Sequence, residues 1–492
     1  MRALGLLVSA AAACLLAACA TSGAPSGGSS TTAAKGKESP PVALARGMDA
    51  STNPNPFPST YRPLPSQPTA IVNASILTGA GQQIERGTVV MADGKITAIG
   101  PGIAVPPGAT TIDASGRWVT PGIIDIHSHL GVYPSPSVAA HSDGNEITGP
   151  NTAEVWSEHS LWPQDPGFNR ARAGGVTTML ILPGSANLFG GRSVTVKNVP
   201  AVTYQQMKFP GAPYGLKMAC GENPKRVYGN RNQTPATRMG NVAGYRTAWI
   251  NAAEYGRKWE QYRQKTRDGK EADPPKRDLE LDTLSGVLRG EILIQNHCYR
   301  ADEMATMIDI SKEFGFKIKT FHHASEAYKV ADLLAREDIC SATWAGWWGF
   351  KMESFDGIEE NAPILHQAGA CAVIHSDDAN IIQRLNQEAA AALSAAQRAG
   401  MNITKAEAIR WITLNAAKGM GIDNQTGSLE PGKNADVVIW SADPFSVYAQ
   451  AQQVFIDGAL VYDRRDPRYQ PKSDFELGQP RLQSPSQQAV AR

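Results

Sequence analysis

From Thr69 onward, apolar and polar positions alternate with the period of a strand. Ala70–Leu77, Gly87–Met91 and Lys95–Gly100 each predict a short strand, and Asp93-Gly94 between the last two is a tight-hairpin pair. Short β elements continue to Val119. The pattern then changes to apolar runs alternating with helical periodicity. Strands are predicted at Ile123–Ile126, Gly175–Leu182, Ser193–Lys197, Gly215–Cys220, Ile292–His297, Phe316–His322, Ile339–Trp344 and Ala370–Ile374. Helical patterns cover Arg300–Phe314, Ser325–Arg336 and Asn386–Ala399. Eight strands with helices between several of them predict an α/β fold: a parallel (β/α)8 TIM-like barrel over 121–422, with its chemistry at the C-terminal strand ends.

Beyond the barrel, Thr404 to Gly419 reads as helix, with Thr404 and Glu407 spaced for a capping box. Val437–Trp440 and Val454–Val461 then return to strand periodicity. A small β-sandwich domain is therefore expected from both ends of the chain, residues 67–120 and 423–465. Residues 223–286 interrupt the barrel alternation and carry Arg246, Trp249, Tyr255, Arg257, Lys258, Trp259, Tyr262 and Arg263. They are either a solvated helical face or a lid whose arginines meet a substrate carboxylate. The tail, 466–492, is polar and expected to be loosely ordered.

Charge changes little in this picture. The chain has 492 residues, 47 basic and 46 acidic, for a net charge of +1. That balance gives no reason to expect nucleic acid or strong membrane-surface binding. The N-terminus does change it. Arg2 precedes an apolar run, Ala3 to Ala18, too short to span a bilayer comfortably and of the form of an export signal. Leu16-Ala17-Ala18-Cys19 resembles a bacterial lipobox, which implies cleavage after residue 18 and lipidation of Cys19. With Ala20 next, the resemblance favours the outer membrane, so the expected location is the periplasmic side of the cell envelope, held to membrane only by the lipid. Residues 19–66, rich in Ser, Gly, Thr and Pro, are the expected flexible tether. Cys220, Cys298, Cys340 and Cys371 are widely spaced within apolar runs, and buried free thiols are the expectation.

The candidate chemistry sits at the strand ends. His127 and His129 flank Ser128 at the end of the Ile123 run, and alternate residues of a strand share a face. His297 closes the Ile292 strand, His322 and His323 the Phe316 strand. Asp377 and Asp378 follow His375-Ser376, Glu222 follows the Gly215 strand, and Lys217 lies inside it. Imidazoles and carboxylates directed into one cavity suit zinc, and also manganese or iron.

Taken in order, Pro121-Gly122-Ile123-Ile124-Asp125-Ile126-His127-Ser128-His129, Ala173-Gly174-Gly175-Val176-Thr177-Thr178, His297, His323, Ser376-Asp377 and Gly427-Ser428-Leu429-Glu430-Pro431-Gly432-Lys433-Asn434-Ala435-Asp436 resemble the amidohydrolase superfamily, on its imidazolonepropionase-like branch. The resemblance covers about 68–465 and implies one or two divalent ions. It implies that His127 and His129 bind the more buried ion. His297 and His323 would bind a second, or in one-metal members help bind the ion and polarise substrate. Asp377 would contact the water and act as general base. A carboxylate from the fourth strand would bridge two metals: Glu222 is favoured for its strand-end position, with Lys217, carboxylated by carbon dioxide as in prolidase-like relatives, as the alternative. His322 and His375 are expected to support ligands, His322 from the opposite side of its strand. Asn187 and Arg192 are candidate substrate contacts.

The expected activity is hydrolysis of a carbon–nitrogen bond other than an ordinary peptide bond (an amide, a cyclic amide or a dipeptide-like link) in a small or short peptide-like substrate. Deamination, a lactonase or phosphotriesterase on the same metal site, and a non-catalytic binding scaffold are the alternatives. A homo-oligomer is compatible with all of them.

Overall fold

The computed structural model describes residues 44–45, 47–49 and 55–470. The expected export signal, Cys19, most of the tether and the tail beyond 470 lie outside the described residues. Five strands come first: β1 (Thr69–Leu77), β2 (Gln83–Ala92), β3 (Lys95–Pro101), β4 (Thr110–Asp113) and β5 (Trp118–Pro121). The second set is β6 (Ile123–Ser128), β7 (Val176–Ile181), β8 (Phe189–Lys197), β9 (Tyr214–Ala219), β10 (Ile292–Cys298), β11 (Ile318–His323), β12 (Cys340–Thr343) and β13 (Cys371–Ile374). β14 (Val437–Trp440), β15 (Ala451–Ile456) and β16 (Ala459–Asp463) close the chain. The helices are α1 (Pro166–Ala173), α2 (Glu222–Gly229), α3 (Arg238–Arg267), α4 (Leu279–Leu288), α5 (Ala301–Phe314), α6 (Ala331–Arg336), α7 (Asn361–Gln367), α8 (Leu385–Arg398), α9 (Lys405–Ala408) and α10 (Leu414–Met420). Thr404 caps α9 in the capping box its spacing predicted.

Strands from 69–121 and 437–463 share one sheet rather than two facing layers. It has eight strands, ordered β16-β15-β14-β5-β1-β2-β3 with β4 also on β1. The seam is β14 against β5, where Trp440 pairs with Trp118. Ile71, Ile76, Val89, Met91, Val437 and Ile439 bury a common apolar face there.

The second sheet runs in chain order from β6 to β13 and curls until its edges nearly meet. Two contacts draw the edges together. The Asp377 amide donates to the His127 carbonyl at 3.0 Å. Asp125, fully buried on β6, accepts from the Ser376 hydroxyl at 2.5 Å and the Ser376 amide at 3.2 Å. Gly122 lets β6 begin against β7: a Cβ there would meet Thr177 Oγ1 at 2.1 Å.

The barrel departs from the expected all-parallel order at one strand. β8 is antiparallel to both β7 and β9. A parallel crossover needs about a dozen residues or more, and the connection 182–188 has too few. β8 therefore returns as a hairpin.

Two further expectations are corrected. The four cysteines are not free thiols: Cys220–Cys298 and Cys340–Cys371 are disulfides. The wide spacing was misleading because parallel strands bring distant residues into register, and Cys340 is the direct partner of Cys371. The tether does not run free to 66. Ser59 donates to the Lys208 carbonyl at 2.6 Å, Thr60 to Gln205, and Lys208 Nζ to the Phe57 carbonyl at 2.7 Å. Of the two readings of the insertion, its contacts fit the solvated helical face. α3 buries Tyr245 and Trp249, the latter 4.4 Å from Phe316, while Arg246 pairs with Glu313, Lys258 with Glu254, and Arg263 and Arg267 with Glu260 at the surface. Its aromatics form a core face and its cations a solvated one.

Candidate metal centre

The ends of β6, β9, β10, β11 and β13 place His127, His129, Lys217, His297, His323, His375 and Asp377 together. His127 is at the middle. Its Nε2 lies 3.3 Å from His129 Nε2, 3.4 Å from Asp377 Oδ1 and 3.4 Å from Lys217 Nζ. Its ring is 4.6 Å from that of His323 and stacks on that of His375 at 4.9 Å. His297 packs on His323 at 4.6 Å. Asp377 and His129 are the members of the cluster most open to solvent, with side chains 23% and 16% exposed.

The hydrogen bonds assign the tautomers. The Gln295 amide nitrogen donates to the Gly419 carbonyl at 3.0 Å, so its oxygen accepts from His322 Nε2 at 2.7 Å. His322 Nδ1 then accepts from His127 Nδ1 at 2.9 Å, and His127 Nε2 is left with a lone pair. His129 reaches the same state separately: Nδ1 donates to the Leu182 carbonyl at 2.9 Å, leaving a lone pair on Nε2. That lone pair sits 3.2 Å from Asp377 Oδ1. Two imidazole lone pairs and a carboxylate oxygen thus converge with no proton of their own to share. Such a set suits a cation.

The remaining imidazoles agree. Both ring nitrogens of His297 and His375, and Nδ1 of His323, are buried without a hydrogen-bond partner. Buried polar atoms are normally paired, so this cluster of exceptions has open acceptors that could take a ligand, and His127, His323 and His375 lie close enough to share one ion. Burial first, and then the neighbouring Lys217, hold His127, His297 and His322 well below the ordinary imidazole range; burial and the other imidazoles do the same for His323. His375 falls to about 3, chiefly by burial. All are neutral and fit to coordinate. Burial alone would raise Asp377, but contact with His129 and the charges of its neighbours keep it below the usual carboxylate range. Lys217, fully buried, is lowered by that burial to about 7, with Asp377 opposing.

Several residues lie elsewhere than the sequence placed them. Glu222 is outside the cluster: it starts α2, and its amide donates to Glu353 Oε2 at 2.9 Å. Gly221 before it has φ of +76°, which turns the chain out of the strand direction. His322 does not face away from the site. His323 adopts φ of +67°, which ends the strand alternation and lets adjacent histidines both approach His127. Asn187 donates to the Glu146 and Gly149 carbonyls and to Thr152, so it holds the loop after β6. Arg192 is buried on β8, donates to Thr283 at 2.8 Å and stacks on Trp156 at 4.0 Å. Gln295 and Asp125 were missed altogether. Neither ends its strand, and only the tertiary pairing shows what each touches.

Comparison with known proteins gives concordant results. Residues 291–461 match the profile described as "Amidohydrolase family". A solved amidohydrolase structure from Thermotoga maritima MSB8 is 34% identical, with a TM-score of 0.73, covering 80% of this chain and 100% of that one. Amidohydrolase tasK of Hapsidospora irregularis is 33% identical over 77% of this chain, which spans 39% of that protein's length. An imidazolonepropionase of Mesorhizobium japonicum is 23% identical, over 73% of this chain and 87% of that protein.

Proposed function

Because this chain belongs to the amidohydrolase family, we propose that it is a metal-dependent hydrolase that cleaves an amide-type carbon–nitrogen bond with Asp377 as general base. The observation that carries this reading is the convergence of the His127 and His129 Nε2 lone pairs on Asp377 Oδ1, within 3.4 Å and 3.2 Å. His127, His129, His297, His323 and Asp377 would hold the divalent ion or ions, with zinc preferred by the imidazole-rich set. A bound ion supplies Lewis acidity, polarising the carbonyl and making water a competent nucleophile near neutral pH.

The protein's own groups do the rest. Asp377, ionised and partly open to solvent, accepts the proton of the attacking water and returns it to the leaving nitrogen. The relay from Gln295 through His322 fixes the His127 ring. Lys217 replaces Glu222 as the better bridging candidate. Its amine is neutral for much of the population near pH 7, as attack on carbon dioxide requires, and Nζ already lies 3.4 Å from His127 Nε2. Export fits the same reading, because structural disulfides are sustained in oxidising compartments. Cys19 would carry the lipid anchor; Cys19→Ser should abolish fatty-acid labelling.

The test is metal analysis of the purified protein, then assay against N-acyl amino acids, cyclic imides, dipeptides, lactones and phosphotriesters. Amide hydrolysis lost to a chelator and restored by zinc is the expected result. Absence of bound metal, or turnover confined to lactones or phosphotriesters, refutes it.

A further inference from the structure

The loop after β12 places aromatic surface beside the histidines. Trp344 stacks on His323 at 4.3 Å, and Tyr299 stacks on His323 at 5.4 Å. Trp347 continues the stack on Trp344 at 5.4 Å, and Phe350 meets Trp344 edge-on at 5.5 Å. Trp347 and Phe350 are 37% and 50% exposed. The wall therefore runs from the cluster to solvent. An exposed apolar patch that is continuous with a buried polar site marks a binding surface.

One cation stands on this wall. Lys351 Nζ lies 4.9 Å from the Tyr299 ring centre and 5.6 Å from that of Phe350, and donates to Asn223 Oδ1 at 3.0 Å. An ammonium has three donors. Among the described residues, no carboxylate lies within ion-pair distance of it. Glu222, Asp377 and Glu353 act on it only from farther away, whereas Arg238 on α3 is engaged directly by both Glu303 and Glu353. A half-buried lysine near the centre, with donors to spare, is matched to an anion that arrives with the substrate.

We propose that Lys351 and the Trp344–Trp347–Phe350 wall form a recognition site for a carboxylate and an adjoining apolar group. The substrate is then an N-acylated apolar or aromatic amino acid with its carboxylate free. Water adds across the acyl C–N bond, releasing a carboxylic acid and the amino acid. The assignment of the cleaved bond rests on the hydrolase reading above; the assignment of the carboxylate partner is tested separately from it.

Binding is measured by titration calorimetry on the zinc-loaded full chain, using N-methylsulfonyl-L-phenylalanine, which has no hydrolysable amide, and its carboxamide. The acid should bind roughly tenfold to a hundredfold more tightly than the carboxamide, as for a charge-assisted hydrogen bond. Lys351→Gln should close that gap, Lys351→Arg should keep most of it, and Trp347→Ala should weaken both ligands alike. Equal binding of acid and carboxamide by the wild type, or a gap that survives in Lys351→Gln, overturns the proposal. If Lys351→Gln does not fold, as judged by circular dichroism, the wild-type gap and Lys351→Arg decide. Turnover of N-acetyl-L-phenylalanine is a separate readout. Acid-selective binding without cleavage refutes the hydrolase reading alone, and cleavage without acid preference refutes the role of Lys351 alone.

Discussion

Two buried polar clusters lie at opposite ends of the barrel, and they differ in how well they are satisfied. At the start of the strands, Lys197 donates to Asp457 at 2.7 Å and lies 3.5 Å from Asp436. Tyr61 donates to the other Asp457 oxygen at 2.5 Å, and Thr426 and the Asp457 amide donate to Asp436. Every carboxylate oxygen in that cluster has a donor. At the strand ends, five imidazole nitrogens of His297, His323 and His375 have none. The first cluster clamps the β domain to β8 and needs nothing more. The second is incomplete as a set of protein atoms, and that incompleteness is what distinguishes a site from a structural network.

The sharpest break in this contrast is expected at Asp377. Asp377→Asn removes the proposed base while leaving the lone pairs of His127 and His129 in place. It should lower kcat by about 10²- to 10⁴-fold, with little change in the denaturation midpoint. Steady-state kinetics with a parallel urea melt measures both. An equal loss of stability would make Asp377 a structural residue like Asp436. The converse experiment is Lys197→Met, which leaves two buried carboxylates without their cation. It should cost about 3–5 kcal/mol of stability, read by chemical denaturation, while the folded fraction keeps its activity. A mild effect would mean that the clamp is dispensable.

Lys217 bridges the two behaviours, being buried like Lys197 but with Asp377 acting on it from beyond ion-pair distance. Its folded pKa of about 7 lies below its ordinary one. Between those values the unfolded chain holds a proton that the folded chain has released, so stability rises with pH across that window. Below it, both states are protonated and the penalty is fully present. The metal-free wild type should therefore gain a few kcal/mol relative to Lys217→Met as pH rises from neutral toward 10, because each tenfold difference in proton affinity is worth about 1.4 kcal/mol. Parallel slopes for the two proteins would show that Lys217 is not strained by its burial.

How much of this was legible in the sequence follows from the range of each signal. The eight strands and the His127-Ser128-His129 pair were readable because apolar period and strand parity are local. The antiparallel turn of β8 depends on loop length, which is equally local but leaves no mark in the apolar period. Glu222 was misplaced because strand-end position says nothing of a left-handed glycine before it. The disulfides, the Asp125–Ser376 latch and the stack on His323 are products of register between distant strands, which one sequence does not encode in any local pattern. The candidate ligands His127, His129, His297, His323 and Asp377 could be named because they end strands or follow them directly; Gln295 and Asp125, which lie inside theirs, could not.

Gln295 gives the finest test of that last distinction. Its oxygen accepts from His322 Nε2 and its nitrogen donates to the Gly419 carbonyl, so two substitutions separate the two bonds. Gln295→Leu removes both. His322 then loses the acceptor that sets its tautomer, His127 Nε2 is no longer held as a lone pair, and metal affinity should fall about tenfold to a hundredfold. Gln295→Glu keeps an acceptor for His322 but cannot donate to Gly419. It should hold its metal close to the wild-type level while losing about 1–3 kcal/mol, because a carboxylate oxygen then faces the Gly419 carbonyl, which keeps only the Thr320 hydroxyl as donor. Zinc competition against a chelator, alongside urea denaturation, reads both quantities. If Gln295→Glu releases zinc as readily as Gln295→Leu, then the relay does not set the ligand, and the orientation of His127 comes from packing against His323 and His375 instead.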